Sequence, residues 1–170
     1  MRLISEEKKN KTIELLLTSP ISPTEIILGK FLACLIIYLV LFLLTIQYPL
    51  VISCYAPDFD MGPVYCGYLG LLLLSGAFIS VGIFASTISE NQIVAAMTSF
   101  GLLMLFWVFG WAKQALENGF GQMLGNLSLF DRYADFLRGV LDSGNVIFFI
   151  IFTFIWLFLA TRVLESDRWR

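Results

Sequence analysis

Four stretches of this chain, residues 26–52, 64–87, 93–111 and 146–163, are almost free of charge, and each is about as long as a membrane crossing. A hydrocarbon core of about 30 Å needs roughly 20 apolar residues in a helix. Only 14% of the 170 residues are charged and 58% are apolar, against about a quarter charged in soluble domains. The charge gathers in residues 1–30, 113–142 and 162–170. The expected fold is all-α: a single polytopic membrane domain with four transmembrane helices in the lipid bilayer.

Lysine and arginine set the expected orientation. With the N-terminus inside, the cytoplasmic side holds Arg2, Lys8, Lys9, Lys11, Lys30, Arg162, Arg168 and Arg170, and the outer side holds only Lys113, Arg132 and Arg138. Both termini are therefore expected in the cytoplasm, with 164–170 a cytoplasmic tail. Lys30 lies one turn inside the first span and can snorkel to the interface. Gln47 and Pro49 predict a kink or an early end of that span. The third span ends in Phe106, Trp107, Phe109 and Trp111, an aromatic set suited to a membrane interface.

The connection 112–145 is too long and too patterned for a plain loop. Leu129, Phe130, Tyr133, Phe136, Leu137, Val140 and Leu141 favour one side of a segment opening at Ser128, with Gly139 and Gly144 punctuating its end. This predicts an interfacial or re-entrant helix of roughly fifteen residues on the outer face, too short to span.

The residues argue against catalysis. There is no histidine, so the usual base for nucleophilic chemistry is missing. Every Asp and Glu lies outside the four apolar cores, so no carboxylate pair is available at depth. Gly29-Lys30 ends like a phosphate loop but lacks the upstream glycine, and Phe31 stands where Ser or Thr is needed. No cofactor, metal or nucleic-acid partner is expected. Gly76 with Ser80, and Gly82 with Ser86, repeat small residues at i, i+4, a pattern for close helix packing. Cys54 lies at the start of the loop 53–63 and Cys66 three residues past its end, and spacing alone leaves a disulfide between them open.

The polar N-terminal segment, 1–25, carries the most specific pattern. Thr12 suits an N-cap, and Glu14 sits near the positive end of the helix it opens. Ile13, Leu16 and Leu17 share one face, with Thr18 completing the run, and Pro20 stops the helix after about two turns. A second start follows at once. Ser22 can cap, Pro23 suits N1, and Glu25 at N3 completes a capping box, with Ile21 and Ile26 spaced as a hydrophobic staple.

The run from Met1 through Glu14-Leu-Leu-Leu-Thr-Ser-Pro20, followed by Glu25-Ile-Ile-Leu-Gly-Lys-Phe31, resembles ABC-2-type transporter permeases. The nearest branch is that of the bacterial gliding-motility and nitrous-oxide-reduction-associated permeases. Phe130-Asp-Arg-Tyr-Ala-Asp-Phe-Leu-Arg-Gly139 and Leu164-Glu-Ser-Asp-Arg-Trp169 resemble that branch's outer segment and closing tail. The resemblance implies that 12–20 is a cytoplasmic coupling helix docking on an ABC ATP-binding subunit. Thr12, Ile13, Glu14, Leu16, Leu17, Thr18 and Pro20 would make the contact, Glu14 foremost. It also implies a second permease subunit, as a homo- or heterodimer, and a bacterial plasma-membrane location.

Two departures from the family pattern stand out. Lys11 occupies a position where the family usually has glycine. The family has six spans with the coupling helix after the second, whereas here only four follow it. The chain is thus expected to match the C-terminal two-thirds of a permease, as a fragment or a truncated reading frame. The expected function is the membrane subunit of an ATP-driven exporter, and the alternative is a non-transporting scaffold that anchors a soluble partner. With no polar constellation lining the spans, the expected cargo leans lipid-like or hydrophobic, or the role mechanical.

Overall fold

A computed structural model describes residues 4–5, 21–56, 60–115 and 125–168. Among them every regular element is a helix: α1 Pro23–Thr45, α2 Gln47–Tyr55, α3 Gly62–Ile88, α4 Gln92–Ala115, α5 Leu129–Leu137 and α6 Ser143–Arg168. Four apolar spans are long enough to cross a membrane: Pro23–Tyr55, Gly62–Ile88, Gln92–Trp111 and Ser143–Ser166. The second is 61% buried by the chain itself, against 11%, 17% and 28% for the others, so α3 is the helix most wrapped by its neighbours.

Packing divides the chain into two compact units. The first takes its residues from Met1–Cys34, Ala77–Met104 and Ile151–Arg170; the second takes Leu35–Gly76 and Leu105–Ile150.

In the first unit, fully or nearly buried Ile4, Ile27, Ile83, Leu157, Ala160 and Leu164 form the core, with Ile26, Phe31, Ile79 and Phe84 against it. Phe84 meets Trp156 edge-on at 4.8 Å between ring centroids. Buried hydroxyls here bond back to the preceding turn. Ser80 Oγ donates to the Ala77 carbonyl at 2.7 Å and Thr87 Oγ1 to the Phe84 carbonyl at 2.7 Å. Hydroxyls satisfied in this way can lie in an apolar setting without an unpaired polar atom. Ser80 is fully buried, but a Cβ added at Gly82 would meet nothing within 4 Å. Among the described residues, then, Gly82 itself marks no close approach.

In the second unit the close approaches are at other glycines. A Cβ at Gly70 would lie 2.6 Å from Phe136 Cβ, so the absent side chain is what lets α5 seat its fully buried Phe136 on α3. Gly110 on α4 is backed the same way by Ser128 Oγ, 2.8 Å from where a Cβ would stand. Helix α5 begins with Ser128, whose Oγ accepts the Asp131 N–H. It ends in a Schellman turn, in which the Gly139 N–H donates to the Phe136 carbonyl and the Val140 N–H to the Asp135 carbonyl, with Gly139 at φ 79°. This stop makes α5 nine residues long rather than roughly fifteen. Val140 and Leu141 fall beyond it, 54% and 59% exposed, and Leu137 is also exposed. The apolar periodicity continued past the turn; the helix did not.

The first span is interrupted at Ile46, whose backbone is still helical at φ −60°, ψ −26°. The interruption traces to Pro49, which has no N–H to offer the Thr45 carbonyl four residues back. Tyr68 supplies the missing donor: its hydroxyl lies 3.0 Å from the Thr45 carbonyl and 3.1 Å from Thr45 Oγ1. Cys34, Cys54 and Cys66 are free thiols. Cys66 is buried, and its Sγ donates to the Gly139 carbonyl at 3.6 Å, while Cys54 is exposed.

Candidate functional site: the foot of the first span

Helix α1 starts with the geometry of a capping box. The Ser22 N–H donates to Glu25 Oε2 at 2.9 Å, and the Glu25 N–H donates to Ser22 Oγ at 3.3 Å. Glu25 thus satisfies the Ser22 N–H, and the Glu25 N–H is shared between Ser22 Oγ and the Ser22 carbonyl at 3.0 Å. Thr24 Oγ1 lies 2.9 Å from Ser22 Oγ. Pro23, at the first helical position, is buried and has no N–H to satisfy. Ile26 packs against the first unit's core and Ile27 is fully buried in it, while Ile21 is 41% exposed. The turn is held by polar bonds at its rim and by the core beneath. The candidate contact residues Thr12, Ile13, Glu14, Leu16, Leu17, Thr18 and Pro20 lie outside the described residues.

Just upstream of them, Ile4 and Ser5 are fully buried in the same unit, and their N–H groups both donate to Ser86 Oγ, at 3.1 and 3.0 Å. Sequence reasoning assigned Ser86 to small-residue packing. Nothing local to Ser86 points to a partner more than eighty positions away.

A second polar place lies in the second unit, a cleft of about 570 Å³ lined by residues that include Gly110, Asp131, Arg132, Asp135, Arg138 and Asn145. Asn145, 4% exposed, sits in the first turn of α6. Its Oδ1 accepts from Arg132 at 2.8 Å and its Nδ2 donates to Asp135 at 3.0 Å. Arg132 also donates from Nε to the Asn126 carbonyl and lies 4.1 Å over the Phe148 ring. The reading of the spans as bare of polar groups missed this bridge, because Asn145 stands one residue before the apolar run that begins at 146. The available signal was Arg132 and Asp135 at i, i+3, a pair on one helix face, facing a polar helix start.

Among the described residues, four apolar spans with charged groups gathered towards their ends and on a short amphipathic helix define a polytopic helical membrane protein. Within that class, the family model of the ABC-2 family transporter proteins matches residues 1–119. The chain belongs to that family, a membrane transport component whose members associate with an ATP-binding subunit. The match covers the N-terminal segment and α1 to α4. Comparison with curated proteins and with solved structures gave no match.

Proposed function

We propose that this chain is the membrane-spanning permease subunit of an ATP-driven ABC-type exporter, docking on a separate ATP-binding subunit through residues 12–20. The observation that carries the reading is the reciprocal Ser22–Glu25 cap immediately after that stretch, in a chain of the ABC-2 family. Force applied to a segment reaches a helix only if the first turn of that helix does not fray. Here the Ser22 and Glu25 N–H groups are both bonded at the helix start, and α1 is rooted in the core through Ile27.

In this reading Glu14 makes the principal contact with the ATPase, flanked by Thr12, Ile13, Leu16, Leu17, Thr18 and Pro20. Closure of the ATPase pushes on 12–20, and the junction passes the motion into α1. The apolar faces of α1 and α4 support lipid or a second permease subunit as their covering: Leu43 is 67% exposed and Met97 71%. The Lys and Arg distribution supports both termini on the cytoplasmic side, and the family resemblance supports a bacterial plasma-membrane location. The residues quoted for it favour the gliding-motility and nitrous-oxide-reduction branch.

Glu14→Lys tests the docking. Retention of the ATP-binding subunit by the variant is expected to fall at least tenfold with membrane insertion unchanged, and equal retention contradicts the assignment. A scaffold that only anchors the ATPase would show no transport-coupled ATP turnover when reconstituted.

A further inference from the structure

We infer that Ser86 is a second anchor of the N-terminal segment, tying the chain upstream of residues 12–20 to α3 as the Ser22–Glu25 cap ties the chain downstream to α1. Its use in transmission rests on the docking reading; the anchor itself rests on geometry. One hydroxyl oxygen accepts two successive backbone N–H groups, those of Ile4 and Ser5, at 3.1 and 3.0 Å. Both donors belong to residues with no exposed surface, and so does Ser86. Loss of the hydroxyl there would remove bonds that water cannot readily replace.

The apolar half of the anchor agrees with the polar half. The Ile4 side chain lies in the core formed with Ile27 of α1, Ile83 of α3 and Leu157, Ala160 and Leu164 of α6. In sequence, residues 6–21 are therefore flanked by two anchored points. One end is held by Ser86 and the Ile4 core, the other by Ser22 and Glu25. A push on 12–20 then reaches α3 as well as α1, and α3 is the most buried of the spans. A segment held only at Ser22 could swing about that point, and much of the displacement would be lost. A segment held at both ends delivers it to two helices.

The experiment compares the parent chain with Ser86→Ala and Ser86→Thr, in lipid nanodiscs, by amide hydrogen exchange at Ile4 and Ser5. Alanine is the strongest helix former, so α3 itself is not weakened by the first variant. Threonine keeps the hydroxyl. The parent amides are expected to be protected, to exchange roughly tenfold or more faster in Ser86→Ala, and to return toward parent rates in Ser86→Thr. The amides of α6 serve as the folding control. Unprotected Ile4 and Ser5 amides in the parent, or rates unchanged in Ser86→Ala, overturn the anchor.

Retention of the ATP-binding subunit is read on the same samples and is expected to fall several-fold in Ser86→Ala. Protected parent amides with undiminished retention in Ser86→Ala would overturn the anchor's part in docking. A parent chain with protected amides that retains no ATPase would confirm the anchor and fail the docking reading instead.

Discussion

The two packing units solve the same problem with different means. In the first, branched and aromatic side chains from α1, α3 and α6 make an apolar core around Ile27 and Ile83; the Ser80 and Thr87 hydroxyls bond back to their own helix, and Ser86 is the special residue, accepting from distant Ile4 and Ser5. In the second, the contacts depend on single residues with special properties. Gly70 admits Phe136, Gly139 turns the chain at positive φ, Tyr68 completes a carbonyl orphaned by Pro49, and Asn145 bridges Arg132 and Asp135. A core of interchangeable apolar contacts tolerates volume-conserving exchange. A unit resting on single residues fails at those positions one at a time.

Glycine offers the sharpest way to break that contrast. Gly70→Ala places a Cβ against the Phe136 Cβ and ring, neither of which is a flexible side-chain end. It should cost about 1–3 kcal/mol. Gly82→Ala in the first unit meets open space and should instead stabilise α3 by up to about 1 kcal/mol through helix propensity. Thermal unfolding in mild detergent, followed by reaction of buried Cys66 with a thiol dye in a background carrying Cys34→Ala and Cys54→Ala, measures both. Equal effects at the two positions would erase the distinction between the units.

The Pro49 break gives a smaller effect with a built-in control. Tyr68→Phe should cost about 1 kcal/mol, the usual worth of one hydrogen bond. In a Pro49→Ala background the restored N–H at position 49 can reach the Thr45 carbonyl, since Ile46 already has helical dihedral angles. The Tyr68→Phe penalty should then nearly vanish. A double-mutant cycle on unfolding free energies reads the coupling, and additive penalties would show that Tyr68 does not serve the break.

Ser22→Ala belongs to the first unit and should have the least effect on the whole fold, about 1 kcal/mol or less. Its signature is local: a modest rise in exchange of the Glu25 amide, which keeps its bond to the carbonyl of residue 22, with the rest of α1 unchanged. A uniform rise in exchange along α1 would mean that Ser22 supports more than the helix start.

How much of this was legible in the sequence follows from the same division. The four spans are read from long apolar runs, and the capping-box geometry at Ser22 and Glu25 can be written down from spacing, because both depend on near neighbours in the chain. The length of α5 was overread because Leu129, Phe130, Tyr133, Phe136, Leu137, Val140 and Leu141 keep a helical period across Gly139, where the backbone leaves the helix. Gly70 and Gly110 look like any other glycines until Phe136 and Ser128 are placed against them, and the small-residue pattern pointed to Gly76 and Gly82 instead. Ser86 and Asn145 act on partners distant in sequence, which periodicity does not report. The stretch from Thr12 to Pro20 rests on its pattern and on the family alone.

The central claim is that this chain carries an ATP-binding subunit, and it is tested most directly by gentle-detergent purification from native membranes with mass spectrometry of the co-purifying proteins. The account predicts a nucleotide-binding ATPase recovered with the parent chain and depleted by Glu14→Lys. A folded, membrane-inserted parent chain that brings down no ATPase would contradict it.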